Sequence, residues 1–257
     1  MRTTYALTQP CCSGFDQFLR AYLERERPTR VADLGGGANP LLDPASLHRF
    51  QLDYTVLDIS QAELDKAPAG YRTLQADLAA PGFRWERPGF DLVFSRMLAE
   101  HVPDGARFHG NVWQLLAPGG LALHCFPTLY SLPFVFNRVI SDRLSDWLLD
   151  RIQPRNRYQY AKFPAYYSWC RGPSAAQLRR FTALGYEIVE YRGLFGHSYF
   201  EAIPWLDRLQ RRAATRRLQH PQPHRTSYAF VALRKPLPPP APTSARRFSE
   251  HHAELVR

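Results

Sequence analysis

The sequence predicts an α/β protein built on a mostly parallel sheet. Short apolar runs of strand length alternate along the chain with segments whose apolar residues have helical spacing. The first complete run, residues 31–34, leads directly into three glycines at positions 35–37. A buried parallel strand that turns sharply into a helix has this pattern. The 257 residues are enough for one such domain with an insertion.

Seven strands are predicted from apolar runs bounded by turn residues, at residues 31–34, 54–58, 71–78, 90–95, 121–126, 186–191 and 226–233. Capping residues followed by helical spacing predict helices that begin at Ser13, Ser60, Asp104 and Ser174. Residues 40–50 are predicted as a short helix or loop, and the Arg-rich part of residues 193–225 as a helix. Residues 1–12 form a lead-in that shows no periodicity.

The glycine cluster predicts a ligand site at the end of the first of these strands. Glycines permit positive φ angles and let backbone N–H groups approach a ligand, and a helix N-terminus beside the turn would favour negative charge. Asp58 ends the next apolar run, about twenty residues later, where an acid is placed to bind ribose hydroxyls. Pro40 occupies the last position of a dinucleotide fingerprint, and no Gly-Lys-Ser/Thr follows, which excludes a P-loop. Taken alone, the cluster also fits an ordinary tight turn.

Four motifs in sequence order resemble the class I S-adenosylmethionine-dependent methyltransferases. Asp33-Leu34-Gly35-Gly36-Gly37 matches the acid-x-Gly-x-Gly motif of that family, and Asp58 matches its ribose-binding acid. Asp77-Leu78 follows the third predicted strand, and residues 115–120 with the strand after them match a late motif. The resemblance covers roughly residues 13–126 and implies a three-layer, doubly wound sheet of seven strands in which the last is antiparallel.

The resemblance also implies the cofactor, S-adenosyl-L-methionine, and the residues that hold it. Asp77 would accept a hydrogen bond from the exocyclic amine of adenine, while Leu78 would pack on the ring. The loop after the fourth predicted strand lies where the strand order reverses and where open α/β sheets bind ligands. The full set of expected cofactor-binding residues is Asp33, Gly35, Gly36, Gly37, Asp58, Ile59, Asp77, Leu78, Ser95 and Arg96.

The chain divides into four parts on this interpretation. Residues 1–126 form the Rossmann-like, cofactor-binding half, and residues 174–235 complete the same sheet domain. Residues 127–173 are an insertion rich in aromatic residues, Arg and Pro, which is either a lid over the substrate or a peripheral helical hairpin. Residues 236–257 are Pro-rich and charged and are predicted to be disordered.

Several side chains are candidates for the acceptor site. His101 is the first candidate for a general base, because it follows the fourth predicted strand and histidine titrates near neutrality. Its alternative roles are to cap the next helix or to bind a carbonyl. His197, in a glycine-flanked loop, is a second candidate base. The expected substrate-binding residues are Glu100, His101, Tyr166, Tyr167, Trp169 and His197, although aromatic clusters more often pack in a core or on a surface.

The sequence narrows the acceptor to a few classes. Ser95-Arg96-Met97-Leu98 departs from the Asn/Asp-Pro-Pro-Tyr motif of amide and exocyclic-amine methyltransferases, and Cys125 lacks the preceding Pro of cytosine C5 enzymes. A small-molecule acceptor methylated at oxygen, such as a secondary metabolite, sugar or lipid, is therefore expected. The alternatives are RNA methylation through the Arg-rich residues 211–217 and a binding or regulatory protein without catalysis. Formal charge is +10, but the dominance of Arg over Lys also fits GC-rich coding.

Composition predicts a cytoplasmic protein without a metal site. The N-terminus lacks the apolar stretch of a signal peptide, and no apolar run reaches the length of a membrane span. The four cysteines include no Cys-x-x-Cys pair, which favours reduced thiols over disulfides or zinc ligands. The sequence leaves the oligomeric state open.

Overall fold

A computed structural model describes residues 1–8, 13–129 and 164–239 of the chain. Its strands are β1 (Arg2–Leu7), β2 (Arg30–Leu34), β3 (Asp53–Asp58), β4 (Arg72–Gln75), β5 (Phe90–Arg96), β6 (Leu116–Pro127), β7 (Glu187–Phe195) and β8 (Tyr228–Arg234). Its α-helices are α1 (Ser13–Glu26), α2 (Pro44–Phe50), α3 (Gln61–Leu64), α4 (Gly105–Leu115), α5 (Ala175–Ala183) and α6 (Pro204–Gln219). Most of the predicted insertion and of the predicted disordered tail lies outside these described residues.

The strands form one eight-stranded sheet in the order β1-β7-β8-β6-β5-β2-β3-β4. Every neighbouring pair is parallel except those of β8, which is antiparallel to both β6 and β7. From β2 the chain builds the sheet outward through β3 and β4, and then returns to place β5 on the other side of β2. The carboxyl ends of β2 and β5 therefore flank the point where the strand order reverses. The predicted α/β class and doubly wound topology are confirmed.

Helices cover both faces of the sheet, as a three-layer fold requires. On one face, α1 buries Phe15 and Leu19 against Phe94 of β5. On the other face, α4 and α5 bury Phe108 and Phe181 in the cluster that contains Val93. Phe94 and Val93 are neighbours in one strand and point to opposite faces, so both faces of β5 are covered. This double burial explains why the strands were visible in the sequence as nearly continuous apolar runs.

The lead-in, which shows no periodicity in the sequence, forms strand β1 over residues 2–7. This strand pairs in parallel with β7 along residues Glu190 to Phe195 and forms one edge of the sheet. Its side chains are exposed or only partly buried, so it has little of the apolar alternation that marks a strand in sequence. The pairing rests on backbone hydrogen bonds, which leave no compositional signal. The seven predicted strands are all present, and β1 adds an eighth.

Three of the predicted helix caps are confirmed. Ser60 accepts a hydrogen bond from the backbone N–H of Glu63, Asp104 from that of Arg107, and Ser174 from that of Gln177. Each bond satisfies one of the free N–H groups in the first turn of a helix. The predicted Arg-rich helix is α6, whose 16 residues make it the longest of the described helices. Among the described helices, none is long and apolar enough to cross a membrane.

Candidate functional site

The three glycines after β2 form a tight loop over the ends of the central strands. Gly35 and Gly37 have φ angles of +75° and +42°. A Cβ atom on Gly35 would stand 2.9 Å from a methyl of Leu98, and one on Gly37 would stand 3.0 Å from Oδ2 of Asp58. A Cβ on Gly36 would stand 2.8 Å from Val56. The loop therefore needs glycine for both conformation and space, as a cradle for a closely approaching ligand does.

The expectation that a helix follows the glycines at once is wrong. Helix α2 begins only at Pro44, with Asp43 as its N-cap. The intervening chain stays a loop because Oδ2 of Asp33 accepts a hydrogen bond from the N–H of Leu41, at 2.9 Å. No N-terminus of a described helix therefore lies at the glycines to favour a negatively charged ligand group. Backbone N–H groups and side chains of the loop would have to bind such a group.

Asp33 supports the glycine loop from beneath. Its side chain is 3% exposed, and the same Oδ2 atom also accepts a hydrogen bond from the hydroxyl of Tyr54, at 2.7 Å. Burial raises the pKa of Asp33 to about 6 despite these two hydrogen bonds. Tyr54 lies at the second position of β3, so this contact ties the glycine loop to the neighbouring strand.

Asp58 lies at the end of β3 with its carboxylate below the glycine loop. Oδ1 accepts a hydrogen bond from the N–H of Ser60, at 2.9 Å, and Oδ2 faces Gly37. Burial raises the pKa of this half-buried carboxyl. The next residue, Ile59, is 61% exposed, which is unusual for a large apolar side chain in a well-packed domain. The structure thus brings Asp58, Ile59 and the glycines together at the ends of β2 and β3.

Asp77 and Leu78 lie in the loop after β4, where the first side chain is exposed and the second is buried. Asp77 is exposed, and its Oδ1 accepts a hydrogen bond from the N–H of Ala79, at 2.8 Å. Leu78 is 8% exposed and belongs to the core beneath α4, so its side chain is not placed to cover a ring. Asn111 of α4 donates to the carbonyl of Leu78, at 2.9 Å, and fixes this loop.

Ser95 and Arg96 end β5, but only Arg96 reaches the surface. Ser95 is fully buried, and its Oγ hydrogen-bonds to Nδ1 of His124, at 2.8 Å, so its side chain is not available to a cofactor. This corrects the sequence-based assignment of Ser95 and gives buried His124 a partner. Arg96 approaches Asp16 at the start of α1, at 3.8 Å. The start of α1 therefore lies beside the carboxyl end of β5.

The buried histidines near Ser95 predict acid sensitivity. Burial lowers the pKa of His124 to about 3 and that of His109, its ring neighbour, well below the ordinary value. Since the unfolded chain binds these protons near pH 6.5, acid favours unfolding. Asp33 and Glu100 have raised pKa values, and their protonation in acid stabilises the folded state, which opposes this trend. The contribution of His124 is therefore measured as the difference between the wild type and His124→Asn, in which the other groups cancel.

In that comparison, the stability difference between the wild type and His124→Asn should change in favour of the variant as pH falls from about 6.5 towards 4. The expected slope is about 1.4 kcal/mol per pH unit, the full value for one proton. Urea unfolding at a series of pH values measures it. Parallel stability curves for the two proteins would show that His124 does not titrate on unfolding.

Glu100 and His101 form a polar pair in the loop after β5. Glu100 is 2% exposed, its Oε2 has no hydrogen-bond partner among the described residues, and burial raises the pKa of its carboxyl to about 8. His101 Nε2 lies 3.8 Å from Oε1 of Glu100, and Nδ1 hydrogen-bonds to the carbonyl of Pro164, at 2.9 Å. Because a carbonyl only accepts, Nδ1 carries the hydrogen, and the neutral ring presents its lone pair at Nε2.

The aromatic residues predicted to bind substrate fall into two groups. Tyr166 is 45% exposed and remains a candidate for the acceptor site. Tyr167 is 3% exposed and belongs to the core, and Trp169 stacks on His109 and packs against Gly105. Tyr167 is therefore a packing residue, and its assignment to substrate binding is corrected, whereas the partly buried Trp169 stays a predicted substrate-binding residue. The backbone N–H groups of residues 166 and 167 both donate to the carbonyl of Glu100, which anchors this segment beside the polar pair.

His197 lies in a different loop from His101. It follows β7, which is separated from β5 by β8 and β6, so the strand ends are about 14 Å apart at the usual strand spacing. Its ring packs on Tyr199 and Phe200, and burial lowers its pKa. It also lines a cavity of about 280 Å³ between α6 and the ends of β1 and β7. That His197 is a base and binds the substrate therefore stays a prediction.

Three residues that support the site, each distant in sequence from its partner, were not predicted. Leu98 covers Gly35, Tyr54 holds Asp33, and Asn111 fixes the loop after β4. Each contact joins residues more than twenty positions apart, so no local pattern marks it. Among the described residues, no group of His, Cys, Asp and Glu is arranged to hold a metal ion.

The chain is similar to known methyltransferases. Residues 6–191 match a family described as a methyltransferase domain. The chain is 31% identical over 165 residues to the ubiquinone biosynthesis O-methyltransferase of Cereibacter sphaeroides, and the match covers 61% of this chain and 62% of the relative. The chain thus spans less than two thirds of that relative's length.

Solved structures share the fold at lower identity. An S-adenosylmethionine-dependent methyltransferase from Mesorhizobium loti aligns with a TM-score of 0.51 and 20% identity, covering 85% of this chain and 96% of the other. The cyclase SpnF aligns with a TM-score of 0.50 and 16% identity, covering 87% of this chain and 81% of the other. Similarity at this level shows a common fold, and fold alone does not determine the reaction.

Proposed function

Because the chain belongs to the class I S-adenosylmethionine-dependent methyltransferases, we propose that it transfers the methyl group of this cofactor to an oxygen of a small molecule. The observation that carries the proposal is the contact between two loops. Leu98, in the loop after β5, lies against Gly35 of the glycine loop. The same β5 loop carries Glu100 and His101, so a base stands next to the proposed cofactor cradle.

The residues of the cradle fit S-adenosylmethionine. Oδ2 of Asp58 faces the glycine loop and is placed to accept hydrogen bonds from the ribose, and exposed Ile59 offers an apolar surface for adenine. Exposed Asp77 stands at the end of the neighbouring strand and is assigned to the exocyclic amine. When bound, the cofactor supplies a methyl group activated by its sulfonium.

Replacement of Asp58 should weaken the binding of S-adenosylmethionine by roughly tenfold to a hundredfold, because a charged hydrogen bond contributes about 1.5–3 kcal/mol. Isothermal titration calorimetry on Asp58→Ala measures this change. Asp58→Asn is the matched control for the local turn, since its amide oxygen can still accept from the N–H of Ser60. Unchanged affinity in a folded Asp58→Ala protein would remove this residue from the cofactor site.

In the proposed mechanism, His101 removes the proton of an acceptor hydroxyl. Its Nε2 lone pair faces away from the Pro164 carbonyl that holds Nδ1. The acceptor oxygen becomes nucleophilic as its proton passes to Nε2. Glu100, whose Oε1 lies 3.8 Å from Nε2, stabilises the resulting imidazolium when its carboxyl is ionised, above its raised pKa of about 8. Burial of Glu100 keeps its charge poorly solvated, which strengthens its interaction with a protonated His101.

A hydroxyl acceptor is favoured for two reasons. A hydroxyl must lose a proton during methyl transfer, and a base is present. The relative from Cereibacter sphaeroides is named for O-methylation in ubiquinone biosynthesis. We infer an acceptor of the secondary-metabolite, sugar or lipid type and a cytoplasmic enzyme, in keeping with the free, buried thiol of Cys170.

The proposal is tested by transfer of a labelled methyl group from S-adenosylmethionine to a panel of phenolic, sugar and lipid hydroxyl compounds. The expected result is label in an ether that is absent without the protein and absent with His101→Asn. Tight cofactor binding without turnover on any acceptor, RNA included, would favour the non-catalytic alternative.

A further inference from the structure

Helix α6 presents an outer face that combines cations with large apolar side chains. Trp205 is 69% exposed and Leu209 is 58% exposed, whereas the side chains of most other large apolar residues in the described chain are buried. Arg212 and Arg216 follow on the same face, since the four residues recur at intervals of four, three and four along the helix. Arg208 lies beside them and is exposed as well. We call these five residues the α6 face.

The cations of the α6 face are not neutralised by neighbouring acids. No described carboxylate forms an ion pair with Arg208, Arg212 or Arg216. The two acids beside the helix, Asp207 and Glu201, both pair with Arg211, at 2.6 and 3.6 Å. The α6 face therefore carries three positive charges and two apolar side chains into solvent.

The inner face of α6 holds the helix against the sheet. Ala214 is buried, and Gln210 donates to the carbonyl of His197, at 2.8 Å. The helix packs against β1 and β7, and the cavity beneath it is lined by Phe195 and Gly196, at the carboxyl end of β7. These contacts fix the orientation of α6. The helix lies at the carboxyl ends of β1 and β7, and the glycine loop lies at the carboxyl end of β2, so both are at the same end of the parallel strands.

We propose that the α6 face binds the surface of an anionic lipid bilayer. A helix that lies in a membrane interface inserts Trp and Leu at the level of the headgroups and acyl chains, while arginine side chains reach the lipid phosphates. Each cation near an anionic surface strengthens such binding by about fivefold. An RNA surface offers phosphates to the arginines but no apolar environment for an exposed Leu209, so a lipid surface explains more of the face.

Binding of the α6 face to a bilayer would bring the carboxyl ends of the parallel strands towards the membrane. The glycine loop follows β2, which is four strand positions from β7, or about 19 Å along the sheet. An acceptor dissolved in the membrane would then have a short path to the site, a consequence that rests on the proposed function. The lipid contact itself does not depend on methyl transfer.

The test is co-flotation of the full chain with vesicles. We expect the protein to float with vesicles of phosphatidylcholine and phosphatidylglycerol but not with vesicles of phosphatidylcholine alone. The triple variant Arg208→Glu, Arg212→Glu, Arg216→Glu should lose at least about a hundredfold in partition to the mixed vesicles. The matched control reverses three exposed arginines elsewhere, Arg27, Arg84 and Arg179, and changes the net charge equally. It should lose much less.

Two further variants keep the proposal falsifiable. Leu209→Ser should weaken partition, whereas Leu237→Ser, at a more exposed position outside the α6 face, should not. Trp205→Phe should still float but should lose the quenching of tryptophan emission by brominated lipids. Equal loss in both triple variants, flotation with neutral vesicles, or salt-sensitive RNA retention without any flotation would overturn the proposal. Cofactor affinity in solution, measured for each variant, separates this outcome from failure of the methyltransferase assignment.

Discussion

Replacing Gly37 with valine should abolish useful binding of S-adenosylmethionine while leaving the sheet folded. At φ +42°, a β-branched residue is strained by about 1–2 kcal/mol or more. Its Cβ would also stand 3.0 Å from Oδ2 of Asp58 and 3.2 Å from Cβ of Glu63. The loop or Asp58 must move, and the hydrogen bonds proposed for the ribose are lost. The backbone strain lowers stability, whereas the lost hydrogen bonds weaken binding by about 1.5–3 kcal/mol, or roughly tenfold to a hundredfold in Kd, and the side chain that fills the cradle weakens it further.

The control for this prediction is Gly70→Val. Gly70 has φ +95°, so valine is strained there too, but no atom lies within 4 Å of its added Cβ. Gly70→Val should therefore lower the melting temperature without weakening cofactor binding, which separates backbone strain from blockage of the site. Calorimetry measures both affinities, and a cooperative melt shows that each variant is folded. Normal binding by folded Gly37→Val would move the cofactor away from this loop.

Replacing His101 should remove most of the catalytic rate without changing cofactor affinity. His101→Asn keeps an amide N–H near the position of Nδ1, where it can donate to the carbonyl of Pro164, but it removes the Nε2 base. General-base catalysis contributes about 10²–10⁴-fold, so kcat should fall by that factor. Single-turnover rates and the Kd for S-adenosylmethionine are the two readouts. A folded variant with an unchanged rate would show that the acceptor loses its proton elsewhere.

The pH dependence of kcat/KM tests whether Glu100 stabilises protonated His101 during proton removal. The carboxylate form is the one that stabilises protonated His101, so kcat/KM should rise with pH through an apparent pKa near 8, the value to which burial raises Glu100. Glu100→Gln should remain folded and bind the cofactor, but its profile should lose this rise. An unaltered profile in the variant would show that Glu100 serves only packing.

The central sheet and the cofactor cradle were predictable because their signals are local. An apolar run, an acid and three glycines follow one another within residues 31–37, and Asp58 ends the next run. These patterns arise from strands buried on both faces and from backbone geometry that only glycine tolerates. Capping residues such as Ser60 and Ser174 were predictable for the same reason, since each acts within one turn.

The remaining differences come from long-range packing. Strand β1 gives little sequence signal because its pairing with β7 is through the backbone and its side chains are mostly outside the core. Ser95 and Tyr167 looked available for ligands, but their side chains point into the interior, which depends on strand pleat and on contacts with distant elements. The distance between the strands that carry His101 and His197 depends on the strand order, which no local pattern gives.

A crystal structure of the full chain with S-adenosylhomocysteine tests the central claim most directly. The account predicts that the ribose hydroxyls lie within hydrogen-bonding distance of Asp58, that the amino-acid portion lies along Gly35 to Gly37, and that the sulfur faces the loop of Glu100 and His101. A ligand bound in the cavity beneath α6, or one that leaves Asp58 without contact, would contradict it.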